Sequence, residues 1–199
     1  TSTALMILAL RKMGAQVEYL VPDRFKYGYG LTPAIADLAF TSFTPDLLIT
    51  VDNGISSHDG VKQAQDHGMQ VIITDHHLTT KPTPSAQAVV NPNQLGCDFP
   101  SKALAGVGVA FYVLANLSTY RKKLHKSSAL MSQYLDLVAL GTYADVASLD
   151  YNNRILVDVG LKRIQQHLCR PGISALLEIA GREAASLKAQ DLGLSLIHI

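Results

Sequence analysis

Two short stretches set metal-ligand side chains at the ends of apolar runs. Val51-Asp52-Asn53-Gly54 closes the run 46–51, and Thr74-Asp75-His76-His77 closes the run 70–74. If these runs are neighbouring strands of an open parallel sheet, Asp52 and His76 project into one crevice outside their carboxyl ends, where such sheets bind ligands. A hard carboxylate oxygen beside an imidazole nitrogen suits Mn²⁺, Mg²⁺ or Zn²⁺ better than Ca²⁺. Asp-Asn-Gly is also ordinary turn chemistry, so Asp52 alone says little. Neither propensity nor packing calls for two histidines after an acid, so Asp75-His76-His77 is the stronger signal. A third stretch, Leu140-Gly141-Thr142-Tyr143-Ala144-Asp145-Val146, sets one acid among small and apolar residues. A buried acid is costly unless paired or metal-bound. The structural alternative is that Asp145 caps a helix beginning near 152.

The elements that must position these residues alternate. Helices are expected at 3–13, 33–42 and 57–67, with Pro33 at a favoured first helical position and Gly68 as a stop. Strands are expected at 18–22, 46–51, 70–74 and 88–90. Near-continuous β-branched runs imply strands covered on both faces, and helix-sized spacers imply βαβ units with a parallel sheet. From about residue 103 the chain reads as mainly helical, with segments at 103–118, 130–141, 152–167 and 172–181. The basic run Arg121-Lys122-Lys123, with Lys126, is expected to be a solvated connector. The fold class is therefore α/β, a parallel sheet flanked by helices and followed by a mainly helical segment.

Composition bounds this reading without directing it. The 199 residues are 48 % hydrophobic and 17 % charged, which suits one domain, or one domain and the start of a second, with a sizeable core. A net charge of +1 argues neither for nor against nucleic acid as a partner. Cys97 and Cys169 lack metal-like spacing and read as free thiols of a reducing cytoplasm. The most apolar stretch, Ala103 to Leu117, is too short to span a membrane and is interrupted by Gly106 and Gly108. It reads as a buried core helix.

Taken in order, Val-Asp-Asn-Gly, Asp-His-His and Gly-Thr-x-Ala-Asp-Val resemble the DHH phosphoesterase superfamily. Within it, the chain is similar to the bacterial single-stranded-DNA-specific 5′→3′ exonucleases. Further stretches carry the likeness: Val21-Pro22-Asp23-Arg24-Phe25, Tyr27-Gly28-Tyr29-Gly30-Leu31, Asn91-Pro92-Asn93, Leu104-Ala105-Gly106-Val107-Gly108 and Asn152-Asn153-Arg154. Asp-His-His alone is a weak motif, but the ordered set is specific and runs to about Gly193.

The resemblance implies a Rossmann-like DHH domain and two-metal hydrolysis of phosphodiester bonds with Mn²⁺ or Mg²⁺. It implies Asp52 as a bridging metal ligand and His76 and Asp145 as ligands of the second metal. It gives His77 a contact to the scissile phosphate or leaving oxygen, and Asp75 the task of orienting the histidines. It implies single-stranded DNA as substrate, roles in DNA recombination and repair, a cytoplasmic monomer, and a single-strand-binding protein and a helicase as partners. Two alternatives stay open: a DHH phosphoesterase acting on oligonucleotides, cyclic dinucleotides or pyrophosphate, and a non-catalytic nucleic-acid-binding module with a degenerate site.

The family pattern also includes an Asp-x-Asp motif before the first helix and a second domain that closes the cleft. Both are expected to lie outside this sequence, which starts with Thr1 as an N-cap and ends with residues 195–199 departing from the pattern. The expected division is residues 1–149 as DHH domain and 150–199 as a helical linker toward the second domain. A chain so bounded is expected to be inactive alone.

Overall fold

A computed structural model describes residues 1–197, with the side chains of 1–193. The chain divides into two compact units, residues 16–102 and residues 1–15 with 103–199.

The 16–102 unit carries the sheet. β1 (Leu47–Val51), β2 (Gln70–Thr74) and β3 (Ala88–Val90) pair in that order, all parallel, as expected for an α/β fold. In register, Val51 lies opposite Thr74, and Thr74 opposite Val90. The three strands therefore end level with one another, and the residues that follow them emerge at one edge.

A short α2 (Arg24–Tyr27) precedes α3 (Pro33–Phe43), and α4 (His58–Asp66) follows β1. Thr32 caps α3 by accepting from the Ile35 amide, with Pro33 in the first turn where a missing N–H costs nothing. Leu31, Ile35 and Ala36 pack with Val61 and Ala64 of α4 against Met69, Val71 and Ile73. That cluster buries one face of β2. The other face is only partly buried at Ile72, so full cover on both faces is not reached along the strand. Gly60 has no spare room: a Cβ there would lie 1.9 Å from the Leu31 carbonyl oxygen. Helix α4 is thereby held tight against the loop carrying Tyr29.

The strand expected at 18–22 does not form; residues 15–23 are neither helix nor strand. Pro22 cannot donate to a ladder, and Tyr19 and Val21 are exposed with only Leu20 packed against the core, so local β propensity has little packing to support it.

The other unit is helical: α1 (Ser2–Lys12), α5 (Gly106–Lys123), α6 (Leu135–Ala144), α7 (Tyr151–Gln165), α8 (Pro171–Ile179) and α9 (Ala189–Ile197). Helix α5 is the expected core helix, with Gly106 to Phe111 and Leu114 buried. It runs past the expected end, so Arg121-Lys122-Lys123 form its last turn instead of a connector. Nothing before Leu124 breaks the helix, and three cations favour its negative C-terminal pole. Helix α9 carries the backbone on to Ile197. The expected departure from the family pattern at 195–199 falls partly on residues 198–199, which lie outside the described residues. Cys97 and Cys169 are free. Among the described residues, no helix is long and apolar enough to cross a membrane.

Candidate metal centre

Each strand end takes its shape from hydrogen bonds that the backbone cannot make itself. After β1 the chain turns sharply, with Asp52 at φ 65° and Gly54 at φ 114°. Thr50 Oγ1 donates to the Asn53 carbonyl, Asn53 Nδ2 donates to the Val51 carbonyl, and the Asp52 amide continues the ladder to Thr74 O. A Cβ at residue 54 would lie 2.6 Å from Thr50 Oγ1, so this turn requires glycine for space as well as for φ. Tyr29 Oη donates to the Asp52 carbonyl at 3.3 Å.

After β2 the organiser is Asp75, which is 1 % exposed. Its Oδ2 accepts from the Ile55 amide at 2.8 Å. Its Oδ1 accepts from the His76 amide at 2.7 Å, the His77 amide at 3.2 Å and His77 Nδ1 at 2.6 Å. Burial pushes this carboxyl upward, but the hydrogen bonds from His77, Ile55 and His76 outweigh it, and Asp75 is held below the ordinary carboxylate range. An ionised acceptor requires His77 Nδ1 to carry the proton, which leaves Nε2 as the ligand nitrogen. Asp75 thus orients the His77 ring directly, whereas it holds His76 through the backbone.

The loop after β3 completes the frame. Asn91, 1 % exposed, donates to the His77 carbonyl at 2.9 Å, and Asn93 donates to the His76 carbonyl at 2.6 Å. Asn91 Oδ1 in turn accepts from the Asn93 amide. In the sequence these residues read only as a turn and a resemblance. The available signal was two side-chain amides, two residues apart, directly after a strand beside β2.

The outcome is a cluster in which Asp52, His76 and His77 each offer one ligand atom, all within 4.8 Å of one another. His76 Nε2 stands 3.1 Å from Asp52 Oδ1, and that oxygen is buried without accepting a hydrogen bond among the described residues. A buried carboxylate oxygen left in this state beside two imidazoles fits a divalent cation, whose charge would satisfy it. Asp145 lies in the other unit as the C-cap of α6, and it is exposed rather than buried. Helix α6 extends to Ala144, and its residues are buried as far as Thr142 while Ala144 and the acid at its end are exposed. Asp145 does not cap α7; Asp150 does, accepting from the Asn153 amide.

Residues 1–142 match the protein-family model described as DHH family, N-terminal domain. The single-stranded-DNA-specific exonuclease RecJ of Escherichia coli (strain K12) is 52 % identical over 98 % of this chain, which spans 35 % of that protein. The RecJ of Bacillus subtilis (strain 168) is 38 % identical, again over 98 % of this chain and 24 % of its own length. A crystal structure of exonuclease RecJ bound to manganese superposes with a TM-score of 0.82 at 34 % identity, covering 98 % of this chain and 47 % of that one. The chain thus spans about a third of the length of the curated relatives it matches.

Proposed function

The chain belongs to the DHH family, and on that premise we propose that it forms part of a single-stranded-DNA-specific 5′→3′ exonuclease that hydrolyses phosphodiester bonds in DNA recombination and repair. The observation that carries this reading is the Asp52–His76–His77 cluster at the level ends of β1 and β2. The proteins named exonuclease RecJ, one of them bound to manganese, support it.

Asp52 and His76 would hold the divalent ions, with Mn²⁺ preferred because imidazole nitrogen is a poorer ligand for Mg²⁺. Bound there, the ions would supply positive charge to the attacking and leaving oxygens. His77 Nε2, directed by the Asp75 carboxylate, would contact the scissile phosphate or the leaving oxygen. Asp75 keeps the His77 proton on Nδ1, and Asn91 and Asn93 hold the two histidine carbonyls so that the rings cannot drift. Asp145 is proposed as a further metal ligand on the family resemblance alone.

Residues 1–149 would be the DHH part and 150–199 a linker toward a second domain. A cytoplasmic monomer, working with a single-strand-binding protein and a helicase, completes the reading.

The test compares the whole protein on long single strands, dinucleotides, cyclic dinucleotides and pyrophosphate with Mn²⁺ or Mg²⁺. Mn²⁺-dependent release of nucleotides from the 5′ end of long single strands is expected, and loss of it in His76→Ala and Asp145→Asn. Preference for pyrophosphate or a cyclic dinucleotide would overturn the substrate assignment. The chain of residues 1–199 by itself is expected to be inactive, and strong Mn²⁺-dependent cleavage by it would refute that.

A further inference from the structure

The last turns of α1 and α5 carry Arg11 and Lys12, and Arg121, Lys122 and Lys123. The two helix ends are tied together: Arg121 donates through Nη2 to the Met13 carbonyl and through Nε to the Ser127 carbonyl. Lys12 and Lys122 line one cleft with Ser118, Thr119, Ser128 and Gln133. Lys126 follows in the adjoining loop, and residues 1–15 and 103–135 contain no Asp or Glu at all. Lys12, Lys122, Lys123 and Lys126 are exposed and make no ion pair among the described residues.

Helix polarity does not account for so much charge. Two C-terminal poles offset only about one unit of it, at roughly half a charge each. Leaving Arg11 aside, one arginine and four lysines still exceed that offset by about four. The Debye length is about 8 Å at physiological salt, so neighbouring charges on one such surface act together on a polyanion.

We propose that these two helix ends and the 124–130 loop form a sequence-independent binding surface for the sugar-phosphate backbone of single-stranded DNA. It shares no residue with the strand-end cluster. Flexible lysines suit repeated phosphates as point charges and read no bases. Tyr120, 61 % exposed and one residue before the cationic turn, adds a flat ring on which a base can stack. That ring favours a single strand over an acidic peptide. The identity of the polymer rests on the exonuclease reading above; the existence of the surface does not.

The test measures binding of a labelled oligothymidylate to the whole protein with metal chelated, over a range of salt. In Lys12→Gln/Lys122→Gln/Lys126→Gln the affinity should fall at least tenfold. The slope of log affinity against log salt should become shallower by about two, at about 0.7 per lost phosphate contact. Tyr120→Ala should weaken binding about fivefold. With Mn²⁺ restored, cleavage of a long strand by the triple variant should fall relative to cleavage of a dinucleotide. Unchanged oligothymidylate affinity in the triple variant, with unchanged thermal unfolding, overturns the proposal. So does an equal loss on long strand and dinucleotide. A polyglutamate peptide that binds the wild type and is lost in the triple variant, while oligothymidylate is retained, also overturns it and assigns the surface to a protein partner. Failure of the exonuclease reading would look different: oligothymidylate bound normally, with no Mn²⁺-dependent cleavage by the wild type.

Discussion

Asp52 and Asp75 occupy equivalent places, each one residue past a pair of strand residues in register, Val51 and Thr74. Their environments are opposite. Asp75 is buried, and four donors converge on its two oxygens. Asp52 sits on a left-handed backbone, half-exposed, with one buried oxygen that faces His76 and accepts no hydrogen bond among the described residues. One acid is used up in building the loop. The other is held where a cation can take it. Position after a strand treats both simply as acids, and only the family resemblance implies different tasks for them; what separates them physically is the number of donors each has already satisfied.

The widest separation should be kinetic. In the whole protein, Asp52→Ala should lower Mn²⁺-dependent cleavage of single-stranded DNA about a thousandfold or more, while urea unfolding of the metal-free protein moves by less than about 1 kcal/mol. A large loss of stability in that variant would erase the contrast.

Asp75→Ala should do the reverse first. It strands the amides of Ile55, His76 and His77, and urea denaturation with metal chelated should show a loss of about 3–5 kcal/mol. An unchanged unfolding midpoint would show that water replaces the carboxylate without cost. Asn93→Ala should cost about 1 kcal/mol and, by loosening His76, weaken Mn²⁺ binding about tenfold in calorimetric titration. Equal Mn²⁺ affinity would limit Asn93 to the turn.

The smallest effect should be in acid. The folded carboxyl of Asp75 lies below its unfolded value near 3.8, so its stabilisation is fully present above that value and is lost as pH falls through the lowered folded value. Unfolding free energy of the metal-free protein should therefore decline below about pH 4, and Asp75→Asn should flatten that decline. An unaltered acid limb would remove Asp75 as its source.

The sheet was legible because β1, β2 and β3 are short apolar runs bounded by turn residues, and their shared level edge followed from parallel pairing. Residues 18–22 have the same local look but end in Pro22 and pack only Leu20 against the core, with Tyr19 and Val21 exposed, a matter decided by tertiary packing. Asp145 is exposed where its sequence neighbours suggested burial, because apolar neighbours in sequence are not neighbours in space at a helix end. The amide clamp of Asn91 and Asn93 was invisible as such, since its partners are backbone carbonyls on another loop.

The Asp75 carboxylate spans two loops: Ile55 belongs to the turn after β1, and His76 and His77 to the segment after β2. Neither loop can loosen without releasing the other, so in time they form one event. In deuterium the Ile55 and His76 amides should exchange with a single opening rate, slow relative to the exposed turns around them. A cation held between Asp52 and His76 would stabilise the closed form and slow the exchange of both amides together.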